Sequence, residues 1–260
     1  AIDRLLTSPA AAAQQANLWE ARLIGRQTRV QQVDRDALRA YLVRAFTENK
    51  PYDVFARELI TATGTNDQNG AANYILRFAG MGRLQVEDLT SSVSRLFLGT
   101  QIQCAQCHDH KSEKWKQEDF HALAAFFART RGIPTRRPSP TDRRPPIEVR
   151  DLPFGAQHME LHSGRRETVY PKFLEGVDYR GGESSRREAL AKWMTAPDNP
   201  WFARAAVNRV WDQLLGHGLI DPPDDLRESN PPSHPELMAL GVNVSLGADQ
   251  KTAGLEALAI

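Results

Sequence analysis

The 260 residues carry 33 basic against 32 acidic side chains, a net charge of +1, so no global field recruits nucleic acid or an anionic membrane. No apolar run reaches the roughly 18 residues that cross a bilayer as a helix, and no transmembrane segment is expected. The length suffices for one large domain or two modest ones whose core needs no staples.

No signal-peptide pattern opens the chain. Ala1 to Leu6 already has helical character, so the sequence is expected to lack its true N-terminus and any export signal with it. Ser8-Pro9 offers an N-cap and a first-turn proline for a helix running through Trp19 and Leu23. Leu38, Leu42, Ala45 and Phe46 share one face of a second helix with Asp34 or Asp36 near its start, and Pro51 ends it. Tyr52-Asp53 begins a third, with Val54, Phe55, Leu59 and Ile60 facing inward and Gly64 as its stop. Residues 65–73 are polar and read as a loop. Val86, Leu89, Val93, Leu96 and Phe97 recur at helical spacing up to Gly99.

Beyond that helix lie the chain's two cysteines, in Cys104-Ala105-Gln106-Cys107-His108-Asp109-His110. Cys-x-x-Cys-His is the attachment signature of c-type haem: two thiols add to the vinyl groups and the imidazole after them ligates the iron. Cys104 and Cys107 are thus the candidate attachment points and His108 the proximal ligand. The same run offers Cys104, Cys107, His108 and His110 as a two-sulfur, two-nitrogen zinc set, although four ligands within seven residues leave little chain between the pairs. A redox pair expects a βαβ context that the preceding helix does not supply, and a plain disulfide closes a strained loop.

After the motif, Trp115, Phe120, Leu123, Phe126 and Phe127 make an aromatic helical face, with Glu118 and Asp119 at its start. Beside a haem these rings would wall the macrocycle; otherwise they are ordinary core. Residues 131–150 alternate arginine with proline, giving an extended linker or strap without the aromatic interleaving of a nucleic-acid surface. Ile147 to Leu152 and Glu167 to Tyr170 have strand character. Arg186 to Met194 is a short helix, and Asp198-Asn199-Pro200 precedes a longer one bearing Ala203, Val207, Val210, Trp211 and Leu214 on its apolar face until Gly216. Asn208 and Arg209, on the polar side, are expected to be solvated or to line a cleft. The stretches 221–225 and 230–235 form Pro-locked loops; Asp221, Asp224 and Asp225 suit turn and capping roles better than a calcium site.

The run from Phe97-Leu98-Gly99-Thr100 through the cysteines to Trp115, Asp119-Phe120 and Ala125-Phe126-Phe127 resembles the first of two domains of unknown function found together in large planctomycete-type proteins. Arg186 to Ala191, Asp198 to Arg204, Asn208-Arg209-Val210-Trp211, Gly216-His217-Gly218, Asp221 to Asp225 and Asn230 to Glu236 are similar to the second. Together they span most of residues 1 to about 240. The resemblance implies association with a planctomycete-type cytochrome c and an exported redox setting. The family pattern contains the Cys-x-x-Cys-His-Asp-His run and His234 in Pro-Ser-His-Pro-Glu, but neither His121 nor His217. His110 and His234 therefore become the alternative metal ligands. The chain departs from the pattern after Leu240, where Gly241 to Ile260 looks like a small-residue tail.

The expectation is a mainly α, irregular helical fold with long Pro-rich loops and a small β element. Its divisions are a helical domain at 1–130 with the cysteine motif, a Pro/Arg-rich linker or strap at 131–180, a second helical domain at 181–240, and a divergent or truncated tail at 241–260. The expected role is c-type haem binding for electron transfer in the periplasm or outside the cell, alone or as a subunit beside other redox proteins. Met81, Met159, His158, His162 and His234 are the candidates for the iron's sixth position. The alternatives are a zinc- or haem-dependent enzyme acting on an extracellular substrate, with Asp109, His110 and His234 near the reacting centre, and a structural accessory subunit.

Overall fold

The structure, a computed structural model, describes residues 4–5, 7–26, 32–80, 83–136, 145–161, 163–176, 178–179, 181 and 185–247. It is mainly α with small antiparallel sheets. The described residues divide into two compact units: those up to Gln85 with Thr130–Leu152, and Val86–Arg129 with those of 153–247. The expected 1–130 domain thus contributes to both, and the expected 131–180 strap supplies strands to each.

In the first unit, helices α1 (Pro9–Ile24), α2 (Arg35–Thr47) and α3 (Tyr52–Thr61) start where their sequences dictate. The Ser8 hydroxyl accepts from the Ala11 amide at 3.2 Å, and the Asp34 carboxylate accepts from Ala37 at 2.9 Å, each cap contributing about 1 kcal/mol. Ala12, Ala16, Trp19 and Leu23 line the buried stripe of α1. Phe55 of α3 lies edge-on to Trp19 at 5.0 Å and stacked over Tyr41 at 6.1 Å. Removing a ring buried in this way costs about 3–5 kcal/mol.

Residues 65–73 are not wholly loop. Gly64–Thr65 forms β1, and the short helix α4 (Ala72–Leu76) follows. Thr130–Pro134 (β2) and Ile147–Asp151 (β3) pair antiparallel with Gly132 opposite Val149, and β1 pairs the other edge of β3. Two residues are too few to announce a strand; the pairing is fixed from a distance by Asn66, whose side chain accepts from the Ile147 amide and donates to the Gln32 carbonyl.

In the second unit, α5 (Val86–Val93) passes into a π-helical turn at Ser94–Leu98 and stops at Gly99, with φ +62°. Gly99 is required twice over: a Cβ there would lie 2.7 Å from the Leu226 side chain, in a left-handed conformation. Helix α6 (Gln117–Ala124) follows the cysteines, then the hairpin β4 (Gln157–Glu160) and β5 (Arg166–Val169), α7 (Arg186–Met194), α8 (Phe202–Leu215) and α9 (Pro235–Gly247). Helix α9 runs on through Gly241 to Gly247, so the start of the expected small-residue tail is helical.

Helix α8 bears out part of its expected face, with Val207 buried and Trp211 packed against the same core, but it buries other residues as well. Its buried residues are Phe202, Ala205, Ala206, Val207, Asn208 and Arg209, while Leu214 is half exposed. The cause is hydrogen bonding. Asn208, fully buried, accepts from the Ile220 amide at 2.9 Å and donates to the Ile220 carbonyl at 2.8 Å. Arg209 donates to the Arg95 and Leu96 carbonyls of the π-helical turn. These two residues are internal pegs rather than solvated or cleft-lining groups.

Candidate functional site

The cysteine turn is a short 3₁₀ helix, Gln103–Gln106, presented between the π-helical turn and α6. Its inward anchors are the Ala105 methyl, fully buried, and the Gln106 carbonyl. Cys104 and Cys107 are free thiols and both are exposed. This alternation follows from the sequence: the small apolar residue between the cysteines can turn in only if they turn out.

The three imidazoles of this region have different duties, set by which ring nitrogen is already engaged. His108 Nδ1 lies 2.7 Å from the Asp109 carbonyl. A carbonyl only accepts, so Nδ1 carries the proton and the lone pair sits on Nε2, the arrangement a metal-ligating histidine needs. His110 is the reverse. Its Nδ1 accepts from the amides of Glu113 at 3.1 Å and Ser112 at 3.3 Å, so its available lone pair holds the 110–115 turn, which the His110 amide closes by donating to Trp115 O at 2.8 Å. His121 is buried and engaged at both nitrogens: Nε2–H donates to the Gln106 carbonyl at 3.0 Å, and Nδ1 accepts from Gln157 Nε2 at 3.1 Å. Burial, the largest influence on it, pushes the His121 pKa below the ordinary histidine value, against the opposing pull of the Gln106 bond and Glu87.

Around these, Asp109 accepts from the Gln117 amide at 2.9 Å at the start of α6. Gln117 donates in turn to Gln106 O and Glu160 O. Glu113 meets Ser229 and Arg227, while Lys114 pairs with Glu175 and covers the Trp115 ring. The expected aromatic wall is core instead: Phe120, Phe126 and Phe127 are fully buried, and Phe126 stacks on Phe173 at 4.8 Å. Rings so enclosed have no free face to offer a ligand.

The remaining candidates are scattered. His234 is exposed before α9, its Nδ1 3.1 Å from the Ser233 hydroxyl. Met159 packs among Ala122 and Val169, and exposed His158 lies against Thr168. Met81 and His162 fall outside the described residues. Asp224 pairs with Arg95 at 2.6 Å and accepts from Gln101, and Asp225 pairs with Arg227 at 3.0 Å, so these two carboxylates hold loops. Among the described residues, no three His, Cys, Asp or Glu side chains gather into a group able to hold a metal ion.

The family pattern set His121 aside, and no motif singled out Gln157 or Glu87. One signal was local: Gln117 and His121 are four residues apart on α6, hence on one face. Their partner on β4 had no such signal.

A family model described as PSCyt2, protein of unknown function (DUF1549), matches residues 1–132. A second, PSD1, protein of unknown function (DUF1553), matches residues 186–240. No curated protein and no solved structure matches the chain.

Proposed function

The chain belongs to the DUF1549 family, and from the chemistry of its cysteine turn we propose that it carries one c-type haem on Cys104 and Cys107, with His108 as the iron ligand, for electron transfer in an exported redox assembly. The observation that carries this reading is the turn itself: two free, exposed thiols followed by an imidazole whose Nδ1–H is already given to a backbone carbonyl. The donor set fits. Thioether formation needs two accessible thiols, and iron ligation needs the Nε2 lone pair that the Asp109 carbonyl secures for His108. When bound, the haem supplies a one-electron iron couple whose potential its axial ligands set.

The protein's own residues do the positioning. Ala105 and the Gln106 carbonyl keep the turn seated, Asp109 ties it to the start of α6, and His110 holds the loop that follows. A zinc site on Cys104, Cys107, His108 and His110 would ask His110 for a lone pair that the Ser112 and Glu113 amides share, which makes haem the better fit. On this reading the chain works in the periplasm or outside the cell, beside other redox proteins.

The deciding experiment is a pyridine haemochrome assay on native, exported protein. A c-type α-band that survives acid-acetone extraction, and is lost when Cys104 and Cys107 are replaced by Ser, is the expected result. Colourless native protein overturns the proposal.

A further inference from the structure

The cysteine turn is held by a relay that begins well away from it. Glu87, in the first turn of α5, accepts from Gln157 Nε2 at 2.7 Å. The same amide nitrogen donates to His121 Nδ1, and His121 Nε2–H reaches the Gln106 carbonyl. That carbonyl belongs to the peptide plane joining Gln106 to Cys107, so its direction fixes where Cys107 and then His108 point. Gln117 adds a second, longer donor to the same oxygen at 3.3 Å.

Each member constrains the next. A carboxylate only accepts, so Gln157 must turn its NH₂ toward Glu87; the same NH₂ then requires His121 Nδ1 to be unprotonated. A neutral ring with Nδ1 bare has its proton on Nε2, which is what the Gln106 carbonyl needs. A charged ring would set Nδ1–H against N–H of Gln157. Glu87 therefore selects, through two side chains, the tautomer that tethers the turn.

The geometry points to His121 as the positioning residue of the Cys-x-x-Cys-His turn, its tautomer imposed by the Glu87–Gln157 pair. This rests on the proposed haem role for what the turn carries, but not for what holds it. The bond from His121 to the turn goes to the Gln106 carbonyl, not to a thiol or to His108.

Amide hydrogen exchange across residues 101–110 of the full chain tests this, with or without haem. In His121→Leu the tether is gone, and exchange there is expected to rise about tenfold, as for loss of one buried hydrogen bond. In His121→Gln the side-chain amide can still donate to Gln106 O, and exchange should return to within about threefold of the unaltered protein, a difference well below one hydrogen bond. Equal exchange in the Leu variant and the unaltered chain, or a Gln variant as labile as the Leu variant, overturns the inference. Should neither variant fold, the imidazole ¹⁵N shifts of the unaltered protein decide: a protonated Nε2 with bare Nδ1 at neutral pH supports the relay, and any other state overturns it. A colourless protein with the expected exchange pattern removes the haem reading and leaves the relay standing; a haem-bearing protein without it does the opposite.

Discussion

The cysteine loop and the Pro-locked loop after α8 are fixed by one device, a buried side chain on a neighbouring helix that hydrogen-bonds loop backbone, yet they present opposite surfaces. Around Asn208, the second loop turns Leu219, Ile220 and Leu226 inward, and its stability comes from burial as well as hydrogen bonds. Around His121, the cysteine turn between residues 103 and 110 buries only Ala105. Its shape therefore depends on polar tethers. A loop whose two thiols face solvent cannot be anchored by those side chains, so the anchoring passes to its carbonyls. One loop is scaffold, and the other is presentation.

The contrast can be broken most forcefully at Asn208. Replacing it with Leu strands the Ile220 N–H and C=O in the core, each unpaired group costing about 1–3 kcal/mol. A fall of about 2–5 kcal/mol in urea-unfolding stability is expected, the largest of these effects. A milder break is acidification, which reaches the cysteine loop through His121. The fold favours neutral His121, so the unfolded chain takes up a proton near pH 6.5 while the folded chain resists until lower pH. This contribution is fully present above that value and declines as pH falls below it. Stability measured between pH 7.5 and 5 should show that slope, and His121→Gln should flatten it. The smallest effect sharpens the division of labour within the motif. His110→Ala should cost about 1 kcal/mol of stability by freeing the 110–115 turn, with haem content in the haemochrome assay unchanged. Loss of bound cofactor in that variant would make His110 a ligand instead.

What was legible in the sequence was local. Ser8 and Asp34 announced their helices because a cap is made within three residues. Gly99 announced a stop in the same local way. The buried face of α8 was only partly legible. Apolar spacing found Val207 and Trp211 but also suggested Ala203, Val210 and Leu214, and it missed Asn208 and Arg209, which turn inward to bond backbone distant in sequence. The role of His121 was hidden for the same reason, since its partners lie 15 and 36 residues away. The motif did not give the orientation of the thiols, which Ala105 and the Gln106 carbonyl decide. The β1 pairing was equally hidden, because two residues carry no period.

The π-helical turn at Ser94–Leu98 bears on inheritance. Its Arg95 and Leu96 carbonyls are satisfied by Arg209, and Gly99 O accepts from the Leu226 amide at 2.7 Å. Both donors come from the segment matched by the second family model, while the acceptors belong to the first. A gene that kept the first segment alone would leave these carbonyls without their partners. The two segments are therefore expected to be inherited together, as a single cassette.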